Sequence, residues 1–454
     1  MSHGHEPADS ITHQLSRVLG LVFGLAVVVG GIIGSGIMRA PGVVAKGITS
    51  EPLTLLLWAV IGAVALFSSM PLVEAGASVP RAGGSYPIAT RAFGPTLGFM
   101  TGWLTWLQYT ASNAFIAVVF AEYVHRLGFL VDFPTHDTAN AALAVGLIAV
   151  MAALNMTATR VSGGSQTLSS AVKGGAFILV AIILFASPRA GAAYHPVVAQ
   201  TVAAGAAGVS GVIMAVRVIY QTYAGWDGAI YFSEEVHNPE QNVARATFLG
   251  IGLVTVVYLL VNAAMFHVLA PSQIAGSELA VGDAIKVSLG SLGNTVITSI
   301  GVLSLGAIVN LQIMASSRIT YRMGVDGILP RFIAVVSPGG APRRSVAAVA
   351  IVSALFAGSG SYEAIIRVYA PWSIGSILMI CLASVWLRYR EPDLARPFKT
   401  PFFPILSIAA TLIQAALIAL VVIDDPASGM WSALIVSLPL PLYWWFHLRS
   451  PRAA

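Results

Sequence analysis

Apolar runs of about twenty residues recur along the whole chain, joined by short polar links, and no other feature restricts the fold as much. A run of that length crosses ~30 Å of hydrocarbon as a helix. Only 9% of the 454 residues are charged and 57% are hydrophobic, whereas a soluble domain is about 25% charged. The short alternating segments of a membrane β-barrel are absent. The pattern predicts an all-α polytopic membrane protein of about twelve spans. They fall near 18–45, 53–73, 93–124, 139–157, 165–187, 208–232, 246–270, 290–318, 345–358 (a short one), 362–387, 404–423 and 429–447. A single cysteine, Cys381, provides neither a disulfide framework nor a thiolate zinc site. Residues 1–16 form a polar tail with three histidines, better explained as a disordered terminus than as a metal site. The tail lacks the charged start, apolar core and cleavage site of a signal peptide.

Lysine and arginine fix the expected orientation. With the N-terminus inside, roughly sixteen basic residues fall on the inner side and six on the outer. Both termini are therefore expected in the cytoplasm of a cell whose plasma membrane holds the chain. The net charge of +5 is scattered among the spans, which argues for topology bias and against nucleic-acid binding.

Two spans are poorly suited to being continuous helices. The first contains VGGIIGSGIMRAPG (Val29–Gly42) and the sixth contains YQTYAGWDGAIYF (Tyr220–Phe232). They lie five spans apart, so the second block of five enters from the opposite side, as an inverted repeat does. Paired interrupted spans point to a transporter's binding site. Unwound backbone inside a membrane needs protein, water or a ligand to satisfy it. A helix restarting at Gly36 offers free N–H groups to a carboxylate. The half-helices ending before Gly34 and before Gly225 offer carbonyls to an ammonium. Together they match a zwitterion held by main chain at both poles. The plainer alternative is that Gly30 and Gly34 are a small-residue packing face; the second break in register favours binding.

These residues also carry a resemblance. GGIIGSGIMRAPG, PRAGGSYPIATRAFGP (Pro80–Pro95), YAGWDGAIYFSEEVHNPEQNVARA (Tyr223–Ala246), SSRITYRMGVDGILP (Ser316–Pro330) and RYREPDLARPFKTPFFP (Arg388–Pro404) resemble, in order, the amino acid–polyamine–organocation (APC) superfamily. The L-type amino acid transporter branch is the most similar. The resemblance implies a LeuT-like five-plus-five inverted-repeat core, residues 17–400 with repeats about 18–187 and 208–387, and two accessory helices in 401–454. It implies that a substrate carboxylate meets the N–H groups of Ser35, Gly36 and Ile37. The α-amino group would meet the carbonyls of Ile32, Gln221 and Ala224. Ile33, Gly34 and Gly225 complete the unwound stretches, and Trp226 walls the side-chain pocket.

Lys173 lies in an otherwise apolar span, QTLSSAVKGGAFILV (Gln166–Val180). An ammonium there costs at least ~2.5 kcal/mol and should face the bundle with a partner, rather than snorkel to the headgroups. The resemblance implies that it bridges the broken first helix where sodium-coupled relatives hold sodium, which leaves proton coupling or exchange. Glu234 and Glu235 are expected to form inner-side salt bridges that help close a gate. Asp227 either selects a cationic side chain or is bonded to backbone or to Lys173. Arg39 departs from relatives, which have an uncharged residue there; it either lines the outer vestibule or pairs with an acid. Gln221 replaces an aromatic gate, and Tyr220 or Tyr223 could supply a ring instead. Trp103, Trp106 and Tyr109 are candidates for the pocket wall or for packing.

No phosphate-binding loop, metalloprotease motif or nucleophile elbow is present, so neither ATP-driven transport nor an enzyme is expected. No cofactor or metal is expected. The expected function is secondary transport of free, neutral L-amino acids by alternating access, sodium-independent, with protons as the candidate coupling ion. A polyamine or cationic amino acid carrier is the near alternative, and a membrane-embedded amino-acid sensor is the alternative from another class. The sequence leaves the oligomeric state open.

Overall fold

The computed structural model describes residues 15, 17–34, 36–127, 136–191, 209–277, 279–359, 362–441 and 443–444. Ser35 and most of the expected 1–16 tail lie outside them. The first expected span is two helices, α1 (Leu21–Ile32) and α2 (Gly36–Gly47). Next come α3 (Glu51–Ser78), the short α4 (Ser85–Phe93), α5 (Pro95–Arg126), α6 (His136–Thr157) and α7 (Thr159–Phe185). The sixth span is α8 (Val209–Thr222) followed by a 3-10 segment, Trp226–Phe232. Then follow α9 (Pro239–Val268), two loop helices α10 (Pro271–Ile274) and α11 (Ala280–Leu289), and α12 (Ser291–Val325). The chain continues with α13 (Arg343–Gly358), α14 (Tyr362–Arg390), α15 (Ile405–Asp424) and α16 (Pro426–Ser437).

Helix starts follow local chemistry. The Ser50 hydroxyl accepts from the Leu53 amide at the start of α3, with Glu51 and Pro52 in the first turn. Pro95 opens α5 after Gly94, and Pro239 opens α9 after Asn238. That proline explains why α9 begins seven residues before the apolar run at 246.

Eight helices (α3, α5, α6, α7, α9, α12, α14 and α15) are each long and apolar enough to cross a membrane, and the bent α1–α2 pair makes a ninth. The other three expected spans correspond to α8, α13 and α16, with 14, 16 and 12 residues. Length and hydropathy thus support eight or nine of the twelve expected spans among the described residues. The structure is otherwise all-α there, with one isolated bridge between Leu19 and Val236.

α5 and α12 form the centre: 72% of the apolar window of each is buried, against 17% for α15 at the edge. α1 packs on α7 and α9, α2 on α8, and α3 on α9. On the outside, Leu412, Leu420 and Ile423 of α15 are exposed, as a bilayer-facing helix requires.

Candidate functional site

Both expected interruptions are present, and they touch. A Cβ built on Gly31 would lie 2.7 Å from the Gly225 carbonyl oxygen, and one on Gly225 would lie 2.7 Å from the Gly31 carbonyl oxygen. Gly225 also has φ +106°, a conformation that side chains disfavour. Two backbones can meet here only because neither residue has a side chain. Gly225→Ala should therefore cut uptake about tenfold or more, since strain of this kind costs ~1–3 kcal/mol. Initial-rate uptake per membrane-inserted molecule measures this; a wild-type rate would show that the contact is not needed.

The restart of the first span sits against the end of α8. A Cβ on Gly36 would be 2.9 Å from Thr222 Cγ2, and one on Gly34 would be 3.0 Å from Ile308 Cδ1. Ile33 and Ile37 are fully buried and Trp226 nearly so. Gly36 and Ile37 open α2, so their amides have no acceptor within that helix.

The carbonyl end of α1 is occupied by side chains. Lys173 Nζ donates to Gly30 O and to Ile33 O, each at 2.6 Å. Its ammonium is fully buried and makes no salt bridge with a carboxylate among the described residues. Gln166, Ser170 and Lys173 share one face of α7 by their spacing. Ser170 Oγ donates to Ala26 O at 2.7 Å, Gln166 Nε2 to Ser170 Oγ at 3.2 Å, and Asn310 Nδ2 of α12 to Gln166 Oε1 at 2.9 Å.

Tyr258 of α9 ties the two breaks together. Its hydroxyl lies 3.0 Å from Ile32 O and 3.2 Å from Thr222 O. Of the three carbonyls expected to meet an ammonium, Ile32 thus already accepts a bond, and Gln221 O accepts from the Ala224 amide at 3.2 Å. Each oxygen keeps a second lone pair.

Several expected alternatives are resolved by contacts. Asp227 does not bond Lys173; Tyr231 and Tyr109 approach its Oδ2 at 3.3 and 3.4 Å. Arg39 finds no acid: among the described residues it makes no ion pair, and it is half-buried. Gln221 is exposed, while the neighbouring rings turn elsewhere. Tyr223 donates to Trp58 O at 3.1 Å, and Tyr220 accepts from Gln414 of α15 at 2.7 Å. Both hydroxyls are thus tied to other helices. Trp103 and Trp106 stack with centroids 5.1 Å apart, and the Trp103 indole donates to Ile435 O of α16, which is a packing role.

The end holding Leu19 and Val236 is bridged by hydrogen bonds. Val18 and Leu19 amides donate to Glu235 O, and the His237 amide donates to Leu19 O. Glu235 takes two bonds from Arg318 at 2.8 Å, with both side chains buried; Glu234 meets Arg322 at 3.2 Å. At the opposite end, the Gly276 amide donates to Gly42 O of α2 at 2.8 Å. There Ser277 donates to Asp283, whose carboxyl burial pushes above its ordinary range.

The family model for amino acid permeases matches residues 19–446. The chain belongs to the amino acid permease family. This permease is 27% identical to the b(0,+)-type amino acid transporter 1 of Mus musculus over 445 residues, covering 96% of the chain and 89% of that protein. It is 27% identical to the cystine/glutamate transporter of Homo sapiens, over 98% of the chain and 89% of that protein. Similarity to the Asc-type amino acid transporter 1 of Mus musculus is 26%, over 94% and 81%. The permease is thus a multi-pass membrane protein among amino acid transporters, in line with the motif resemblance.

Proposed function

We propose that the permease exchanges neutral L-amino acids across the plasma membrane without sodium, with both termini cytoplasmic. The observation that carries this reading is the Lys173 ammonium on Gly30 O and Ile33 O. A fixed cation already neutralises the negative end of α1, so a metal cation there would meet repulsion instead of vacant carbonyls. No ion then needs to travel with the substrate, and exchange follows from alternating access around a midplane site. Proton coupling is a second reading, favoured by the burial of Lys173 away from any carboxylate among the described residues.

In this reading the substrate carboxylate meets the amides of Ser35, Gly36 and Ile37, and the α-amino group meets the carbonyls of Ile32, Gln221 and Ala224. Trp226 bounds the side-chain pocket. Glu235 and Arg318 close the cytoplasmic end, and Arg39, without an acid partner among the described residues, lines the outer vestibule. The core spans 17–400 as two inverted five-span repeats, with α15 and α16 accessory.

Proteoliposome counterflow with twenty amino acids and putrescine, with and without a pH gradient, tests this. Liposomes loaded with alanine should accumulate labelled alanine at least about tenfold faster than empty ones, which lack an exchange partner on the inside. A pH gradient should change the rate little. Inhibition by putrescine together with no alanine uptake would replace the zwitterion reading with an amine carrier.

A further inference from the structure

Four membrane-spanning helices line an open cleft that is separate from both helix breaks. α5, α6, α7 and α12 surround about 650 Å³, and no residue of either helix break lines it. Its inner wall is buried Gly306, Ala307 and Asn310, and its exposed rim is Gly146, Val150 and Leu303. Two glycines on the lining face open space, unlike those at the close helix contacts. Gly24, Gly31, Gly42 and Gly47 each bring another atom within 2.8 Å of a built Cβ. A Cβ on Gly146 would meet nothing within 4 Å, and one on Gly306 only Leu147 Cδ1 at 3.9 Å. These two glycines keep space open instead of admitting a neighbouring helix.

The cavity is not built for water. Asn310 Oδ1 accepts from Asn155 at 2.8 Å while its amide donates to Gln166 at 2.9 Å. Ser169 Oγ donates to Ser165 O at 2.7 Å. A trapped water needs two to four polar partners, and Asn310 and the Ser169 hydroxyl are already bonded within the protein. An unfilled apolar cleft forfeits dispersion contacts along its walls. Its rim runs into exposed apolar surface at Val150 and Leu303, on helices that cross the membrane. On helices that cross a membrane the apolar material available to fill it is hydrocarbon, and the volume falls within the range of small-ligand sites, ~300–1,000 Å³.

We propose that this cleft binds one acyl chain of a membrane phospholipid. The chain packs on Asn310, the second member of a relay that runs from Asn155 through Asn310, Gln166 and Ser170 to Ala26 O of α1. The lipid thereby buttresses the polar network that holds the first half-helix.

The test is photolabelling of the full chain in phospholipid vesicles containing a trace of phosphatidylcholine with a mid-chain diazirine, followed by mapping of adducts by mass spectrometry. Adducts on peptides covering 139–151 and 302–310 should exceed those on α15 by about tenfold, the preference of a packed site over fluid lipid. Gly146→Leu combined with Gly306→Val fills the cleft and should bring labelling down to the α15 level. Equal labelling of cleft and α15 in the unaltered protein would overturn the proposal, and that comparison stands even where the filled variant fails to accumulate. Undiminished cleft labelling in the filled variant would overturn it too.

Discussion

Lys173→Ala should abolish amino acid uptake while the protein still reaches the membrane. Two carbonyls at the end of α1 depend on this ammonium, each at 2.6 Å and in surroundings from which water is excluded. A hydrogen bond to a charged group contributes ~1.5–3 kcal/mol, so losing two shifts the conformational balance of the break by ~3 kcal/mol or more. That is roughly a hundredfold in the population able to bind substrate. Lys173→Met keeps most of the side-chain volume and removes only the charge, so it should fail equally; recovery in Met but not Ala would make the residue a packing element. Uptake is measured per surface-exposed molecule, with apparent thermal stability alongside. Wild-type uptake in Lys173→Ala would remove the basis of the proposed sodium-free mechanism.

Much of this arrangement was legible in the sequence because it depends on residues that stand out against an apolar background. Gly34, Gly36 and Gly225 mark the breaks, Lys173 is a lone cation in a hydrophobic span, and Glu234 and Glu235 form an acidic pair beside a span end. Ser170 was recoverable from its spacing between Gln166 and Lys173. Tyr258 was not: a tyrosine in an apolar helix gives no signal of where its hydroxyl points, and only packing of α9 against α1 and the 3-10 segment after α8 brings it onto Ile32 O and Thr222 O. The destinations of Asp227 and Arg39 were equally hidden, because partner choice depends on tertiary proximity. Among the described residues α8, α13 and α16 are apolar but short, so length and hydropathy support nine of the twelve expected spans at most.

Arg318→Met should lower the apparent melting temperature by several degrees and impair transport more than any change to the outer pair Glu234–Arg322. Arg318 is 1% exposed and Glu235 0%, joined by two parallel bonds at 2.8 Å. Removing one member of a buried pair leaves an uncompensated charge, which costs ~3–5 kcal/mol. Arg322 and Glu234 are partly exposed, and solvent screening reduces such a pair to ~1 kcal/mol or less. The arginine also bonds Met314 O and Ser317, lies near Thr159 of α7, and covers the Phe232 ring. It therefore joins α12 and α7 to the segment after the second break. The Glu235 backbone oxygen meanwhile accepts from Val18 and Leu19 ahead of the first break. One carboxylate-bearing residue thus contacts both broken spans at this end. The double variant Glu235→Met with Arg318→Met separates stability from gating. Apolar replacement of both partners should restore the melting temperature, because no charge is left buried alone. Exchange should stay impaired, because the contact that favours the closed end over the open one is gone. Restored exchange in the double variant would show that the pair serves folding and not the transport cycle.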